Sequence, residues 1–299
     1  MCDVGLRPHP TQRQRRLGLE LRRLREESGF SAAEAGRTAG LGAAHMSHIE
    51  TGRTAIPEPK LRVLADTYGC KDKPLVDALV TMGKSTGRGW WTEFRPTMTD
   101  PALDLAEVEA TSVAHRNFQW LHVPGLLQTE EYMRASFEGV NPMSTAAERD
   151  LFATFRLRRQ EELRRNESLA YHAVIHEAAL RMQFFSRDVM RGQIEHLVEV
   201  SRAPNVTVQL LPFQAQSYEV AFSTPFVVYE ASVPALHTVY VEHPVSSPFL
   251  SEQQHLAMYC ESFDRLSKAA LPPVDVRSRT WSYGTRDSLA LIQHLLYTL

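Results

Sequence analysis

The sequence predicts a multi-domain chain in which an all-α bundle of five short helices precedes a mixed α/β domain, and three observations carry that expectation. Apolar residues recur at helical spacing in the first part: Leu17, Leu21 and Leu24, then Leu61, Leu64, Ala65 and Tyr68, then Leu75, Leu79 and Met82. From Ala170 onward, short runs rich in β-branched residues alternate with helical patterns. A length of 299 residues is enough for two domains, each with its own core. The expected division is a helical domain over residues 1–84, a linker with a Trp-Trp segment over 85–97, an α/β domain over 98–285 and a C-terminal helix over 286–299.

The stretch RRLGLELRRLREESG reads as the first helix, burying its leucine stripe. Ser31 with Glu34 three residues on is a capping box, so a second helix starts there and runs to about Thr38, where Gly40 stops it. Leu41 turns the chain inward. A third helix is expected from about Ala43 to Thr51, with Met46, Ile49 and Glu50 facing the bundle and Gly52 ending it. Ala43, Ala44, His45, Ser47 and His48 remain outward. Two short helices across a tight turn are helix-turn-helix grammar, in which the second helix enters the major groove and its outward residues meet base edges.

LGLELRRLREESGFS, AGLGAAHMSHIETGRT and LRVLADTYG resemble the lambda-repressor-like (XRE) family of bacterial transcriptional regulators over roughly Arg13 to Met82. The chain departs from that family at two places. Ala35-Gly36 stands where a Leu-Ala pair is usual, and a mid-helix glycine costs about 0.5 to 1 kcal/mol relative to alanine, so loose packing is expected there. Gly42, Ala43 and Ala44 open the reading helix with no side-chain hydrogen-bond donors, so direct base readout looks thin.

The composition, 43% hydrophobic and 23% charged, is that of an ordinary globular protein. No apolar run approaches the roughly 18 residues of a membrane span, and MCDVGLRPHPTQRQRR has no apolar signal core, so a cytoplasmic, nucleoid-associated protein is expected. Cys2, Cys70 and Cys260 are far apart and form no Cys-x-x-Cys, which indicates neither a disulfide framework nor a cysteine metal site. The net charge of -2 is unevenly spread: residues 1–84 carry 14 Lys and Arg against 10 Asp and Glu, and the remainder 19 against 25. Arg13, Arg15, Arg16, Arg22, Arg23 and Arg25 crowd the first helix. A solvated face explains any one of them; phosphate contact is the better reading of the group, with Arg22, Arg23 and, after the reading helix, Arg53 as anchors.

GKSTGRG over 83–89 reads as a short linker. Trp90-Trp91 is either a stacking platform for bases or, as preferred here, a hydrophobic clamp fixing the angle between domains. Beyond it come a helix from Asp104, a strand around Phe118 to His122, a helix capped by Thr129, and a longer helix from Thr145, boxed by Glu148, to about Arg165. The five arginines of RLRRQEELRR are set against glutamates and read as a mixed solvated face. Strands are expected over Ala170 to Ile175, Val206 to Leu211, Phe226 to Tyr229 and Thr238 to Val241, with helices starting at Ser186 and Ser251. The final helix, about Asp287 to Tyr297, either docks on its own domain or meets a second subunit.

LHVPGLLQTEEYMRA, HEAALR, QIEHLVEVSRAPNVTVQLLPF, YVEH and FDRLSKAAL, in that order after the tryptophan pair, resemble the domain of unknown function DUF5753 attached to many actinobacterial regulators and described as antitoxin-like. The resemblance covers roughly Trp90 to Leu271 and implies binding of a small partner protein encoded nearby; the tail after Asp275 fits it poorly.

His172 and His176, with Glu177 beside them, are the best metal or acid-base candidate, but no third ligand is identifiable, and a strand leading into a helix whose first turn holds Glu177 is the preferred reading. Glu177, Arg181 and Glu242 either converge on a pocket or form a structural ion pair. The sequence holds no GxxxxGK[ST], GxGxxG or HExxH, so no catalytic residue, metal or cofactor is expected. Two functions follow. The first is a sequence-specific, homodimeric transcriptional regulator binding double-stranded operator DNA, with an α/β domain that takes a partner protein or ligand. The alternative is an enzyme of unidentified reaction in the α/β domain, targeted by the helical one.

Overall fold

The computed structural model describes residues 6, 9–216, 224–243, 247–276 and 287–299, in which the chain forms two compact units: Met1–Thr111 with Ala231–His237, and Ser112–Glu230 with Thr238–Leu299.

The first unit is helical: α1 (Gln12–Glu27), α2 (Ala32–Thr38), α3 (Ala43–Glu50), α4 (Glu58–Thr67), α5 (Lys73–Lys84) and α6 (Asp100–Thr111). The expected caps form, since Ser31 and Glu34 close their box around the start of α2. A second box of Thr11 and Gln14 starts α1. Leu21, Met46, Ile49, Leu61, Leu64 and Leu79 make one core, as their helical spacing predicts.

This unit extends past the boundary expected at residue 84. Arg13 Nε donates to Glu107 Oε1 at 2.7 Å and Arg15 Nη2 to Asp104 Oδ2 at 2.7 Å, so α6 is fastened to α1 by two ion pairs between residues remote in sequence. The 85–97 segment is therefore not a free linker but part of the same unit, and it includes a 3-10 turn, Trp90–Phe94. Within that turn Trp90 packs edge-to-face against both Trp91 and Phe94, and Trp91 is buried, so neither ring is laid out as a flat stacking platform. Residues 231–237 also belong here, placing Val233 and Leu236 in the bundle's core.

The second unit is built on a six-stranded sheet of order β3-β2-β1-β4-β5-β6, with β1 (Ala114–Gln119), β2 (Ala170–His176), β3 (Val206–Leu211), β4 (Phe226–Glu230), β5 (Thr238–Val241) and β6 (Phe249–Leu250). The first three strands are parallel; β4 runs antiparallel to β1, β5 to β4 and β6 to β5. Alternation sends Tyr171, Ala173, Ile175, Val208 and Leu210 to one face, under α8 (Ala146–Arg165), α10 (Arg187–Val200) and α12 (Ser288–Thr298). Phe118, Val174, Phe226, Val228 and Val239 face the other way, under α11 (Gln253–Ala269). The remaining helices are α7 (Glu130–Val140) and α9 (Ala178–Arg181).

The first strand lies four residues before the expected Phe118 to His122. One face of β1 is polar, carrying His115, Asn117 and Gln119, and all three are buried. Asn117 and Gln119 are satisfied laterally, since Asn117 Nδ2 donates to Tyr171 Oη at 3.0 Å and Gln119 Nε2 donates to Asn117 Oδ1 at 3.2 Å, while the His115 ring stands edge-on to Tyr229. The arginines of α8 find the expected glutamates, among them Arg158 with Glu161 and Glu162, and Arg165 with Glu161. The final helix docks on its own unit, with Ile292 and Leu295 buried against the sheet-side core; its apolar face is not available to a second subunit.

Several histidines here are partly buried without a carboxylate at hydrogen-bond distance. Burial holds the pKa values of His122, His172, His176 and His196 below the usual histidine value. His172 Nε2 lies 2.6 Å from Gln209 Oε1, while Gln209 Nε2 donates to the carbonyls of Ser267 and Leu271, so the amide oxygen faces the ring and His172 carries its proton on Nε2. Because the unfolded chain takes protons on these rings below about pH 6.5 and the folded unit resists them, stability is present above that pH and is lost as pH falls from about 7 to 5. Scanning calorimetry is expected to show the unfolding temperature of this unit falling across that interval; a flat profile would mean that the rings are hydrated.

Candidate nucleic-acid interface

The reading helix α3 is oriented by what it buries. Met46, Ile49 and Glu50 face the core, while Ala43, Ala44, His45 and Ser47 are exposed and His48 is half-buried, as the helical spacing requires. His45 is exposed, as the sequence predicts. Gly42 caps α3 without a side-chain hydrogen bond, so the first main-chain amides of the helix stay open beside the alanine methyls.

Close backbone contact fixes this helix from two sides. A Cβ at Gly18 of α1 would lie 2.4 Å from the carbonyl oxygen of Glu50 and 2.6 Å from that of Ile49, so α1 crosses directly over the end of α3. A Cβ at Gly36 would lie 2.7 Å from the Leu41 carbonyl oxygen and 3.2 Å from Met46 Cγ. The expectation of loose packing at Ala35-Gly36 is thus reversed: Ala35 is fully buried, and the glycine is where the turn into α3 presses on α2. Past α3, Gly52 turns the chain at φ 75°, in the left-handed region that favours glycine.

A buried charge pair completes the clamp. Arg25 Nε donates to Glu50 Oε1 at 2.6 Å, Nη2 to Oε2 at 2.9 Å and Nη1 to the Phe30 carbonyl at 2.8 Å. The fork holds the Arg25 charge more firmly, raising its pKa, while burial and the Glu50 carboxylate push the Tyr68 phenol up to about 12.

The arginines of α1 are committed elsewhere than the sequence suggested. Arg13, Arg16 and Arg25 are buried, and Arg15 is tied to Asp104. Arg22 Nε holds Glu26 at 2.7 Å; Arg23 holds Glu20 at 2.5 Å and Glu27 at 2.6 Å. The group does not form an open phosphate-binding face, because nearly every positive charge has a carboxylate within one turn or on α6. Arg53 is exposed and makes no ion pair among the described residues. The same holds for Arg37 in the last turn of α2, which sequence reading passed over.

In the second unit, Glu177 and Arg181 bond to each other and Glu242 bonds to Gln119. Glu177 is buried, accepts from the Phe213 amide at 2.9 Å and pairs with Arg181 Nε at 2.5 Å, which locks the turn after β2. Glu242 follows β5, three strands away in the sheet order, and accepts from Gln119 Nε2 at 2.8 Å. Glu177 and Arg181 form a structural ion pair, and Glu242 has a separate partner in Gln119. His172 and His176 likewise have separate partners, since His176 Nδ1 accepts from the Ala178 amide at 3.2 Å.

A helix pair with one exposed reading face, seated on a compact bundle, defines a helix-turn-helix protein, and residues 16–79 match a family model described as a helix-turn-helix domain. Fold and match together support a DNA-binding regulator. Residues 102–280, more than half of the chain, match the model described as a domain of unknown function (DUF5753), and the chain belongs to that family. Comparison with curated proteins and with solved structures gave no significant match. Among the described residues, no helix is long and apolar enough to cross a membrane.

Proposed function

We propose that the chain is a sequence-specific transcriptional regulator of the lambda-repressor-like (XRE) type, in which α3 reads operator DNA and the sheet unit binds a small partner protein or ligand in an antitoxin-like role. The observation that carries this reading is the exposure of Ala43, Ala44, His45 and Ser47 on a helix whose opposite face is locked into the bundle. Arg37 and Arg53 supply phosphate contacts; Arg22 and Arg23 can join them only by releasing their glutamates. The working unit is a homodimer acting in the cytoplasm on the nucleoid, because one reading helix covers only a few base pairs and two-fold pairing supplies a second half-site. The role is one of binding rather than catalysis, supported by the commitment of the Glu177 and Glu242 carboxylates to structural partners.

The test is base preference. His48→Gln exchanges the imidazole for an amide that can bond adenine, so the variant is expected to shift preference at one base position in a selection from random duplexes. If it keeps the parent's preference, His48 does not read DNA, and readout rests on main-chain contacts, Ser47 and DNA shape.

A further inference from the structure

The chain leaves β4 at Glu230, contributes Ala231–His237 to the helical unit and returns to the sheet at Thr238. The segment is not a surface turn. Val233 and Leu236 are buried in the bundle core, at 8% and 5% exposure, and Ala231 and Ala235 pack at its margin. The carbonyl of Ala235 accepts from Arg16 Nη2, and Arg16 Nη1 donates to Glu20 at 3.2 Å, with both of these α1 side chains buried. The segment is ordered by its own bonds: Leu236 N donates to the Val233 carbonyl at 2.9 Å and Ala231 N to His237 Nδ1 at 3.1 Å.

Its place on α1 gives it a consequence for the reading helix. Arg16 and Gly18 are two residues apart, about 200° around a helix of 3.6 residues per turn, so they lie on nearly opposite sides of α1. Gly18 is the point where α1 meets the backbone of Ile49 and Glu50 at the end of α3. Helix α1 is therefore held between the inserted segment on one side and the reading helix on the other, with no side chain at Gly18 to absorb a displacement. We propose that residues 231–237 are positioning residues for DNA readout: by seating α1 they set where α3 stands, and Leu236 with the Ala235 carbonyl are the contacts that do so. The same residues connect β4 to β5, two neighbouring strands of the sheet, and fall within the stretch matched by the DUF5753 model.

The inference rests on the reading of α3 as the DNA-contacting helix, and the experiment separates the two. The full chain is used to select a duplex from a random pool, and its affinity for that duplex and for random duplex is measured at two salt concentrations. Leu236→Ala, assayed well below its unfolding temperature, is expected to lose roughly tenfold of its preference for the selected duplex, the size of a lost base-pair contact. Its affinity for random duplex and its salt slope should stay, because phosphate anchors are untouched. Leu236→Met, which conserves volume, should restore the preference. If Leu236→Ala fails to fold, the same comparison is made with Val233→Ala, the smaller truncation. An unchanged preference overturns the proposal, and so does a parallel loss on both duplexes that tracks the unfolding temperature, since the segment would then only hold the bundle together. A parent chain that enriches no duplex overturns the reading of α3 itself.

Discussion

Gly18→Ala is expected to destabilise the helical unit and to weaken DNA binding, although alanine is the better helix former. Propensity alone favours the substitution by about 0.5 to 1 kcal/mol. Against it, the added methyl would stand 2.4 and 2.6 Å from two carbonyl oxygens, and a comfortable carbon-to-oxygen contact is about 3.3 Å. The atoms in the way are backbone, so no side chain can turn aside, and α1 and α3 must separate by nearly an ångström. Overpacking of this kind costs about 1 to 3 kcal/mol and occasionally more, so a net loss of about 1 to 2 kcal/mol is expected. Calorimetry of the full chain and titration with the selected duplex are the measurements. A variant that is more stable than the parent and binds equally well would show that α1 does not press on α3 in solution.

Arg25→Met is expected to cost more, about 3 to 5 kcal/mol, because it leaves the Glu50 carboxylate buried and unpaired. The position aggravates this. Glu50 is the last residue of α3, at the negative end of the helix dipole, where a carboxylate is unfavourable without a cation beside it. Arg25→Met combined with Glu50→Leu should recover most of the loss, since replacing both members of a buried ion pair with apolar groups is often close to neutral. The coupling between the two sites, read from a double-mutant cycle in urea unfolding, is expected at about 2 to 3 kcal/mol. A single substitution costing less than about 1 kcal/mol would place this pair with ordinary surface ion pairs.

The fate of the arginines on α1 shows what local pattern can and cannot resolve. Glu20, Glu26 and Glu27 stand three or four residues from Arg16, Arg22 and Arg23, so these intrahelical pairs were legible in the sequence. Applied to α8, the same rule gave the observed outcome. The partners of Arg13, Arg15 and Arg25 lie 94, 89 and 25 residues away, beyond any helical spacing. The first strand was misplaced for a related reason. Alternation finds strands by their hydrophobic side, and the inward side of β1 is His115, Asn117 and Gln119, buried because Tyr171, Tyr229 and Glu242 meet them there.

By itself the sequence determined the helices of the bundle, the caps at Ser31, Thr129, Thr145 and Ser186, four of the six strands and the direction in which α3 turns its faces. These follow from interactions within a few residues, where side-chain periodicity and capping chemistry act on the backbone directly. Tertiary structure alone decided that Gly18 and Gly36 are contact points, that Arg25 belongs to Glu50, that Glu242 takes Gln119 as its partner, and that Val233 and Leu236 lie in the core of the helical unit. Each of these depends on which segments meet after the chain has crossed between its two units. A glycine's neighbours, a buried charge's partner and an inserted segment's seat are properties of that meeting, and no local pattern encodes them.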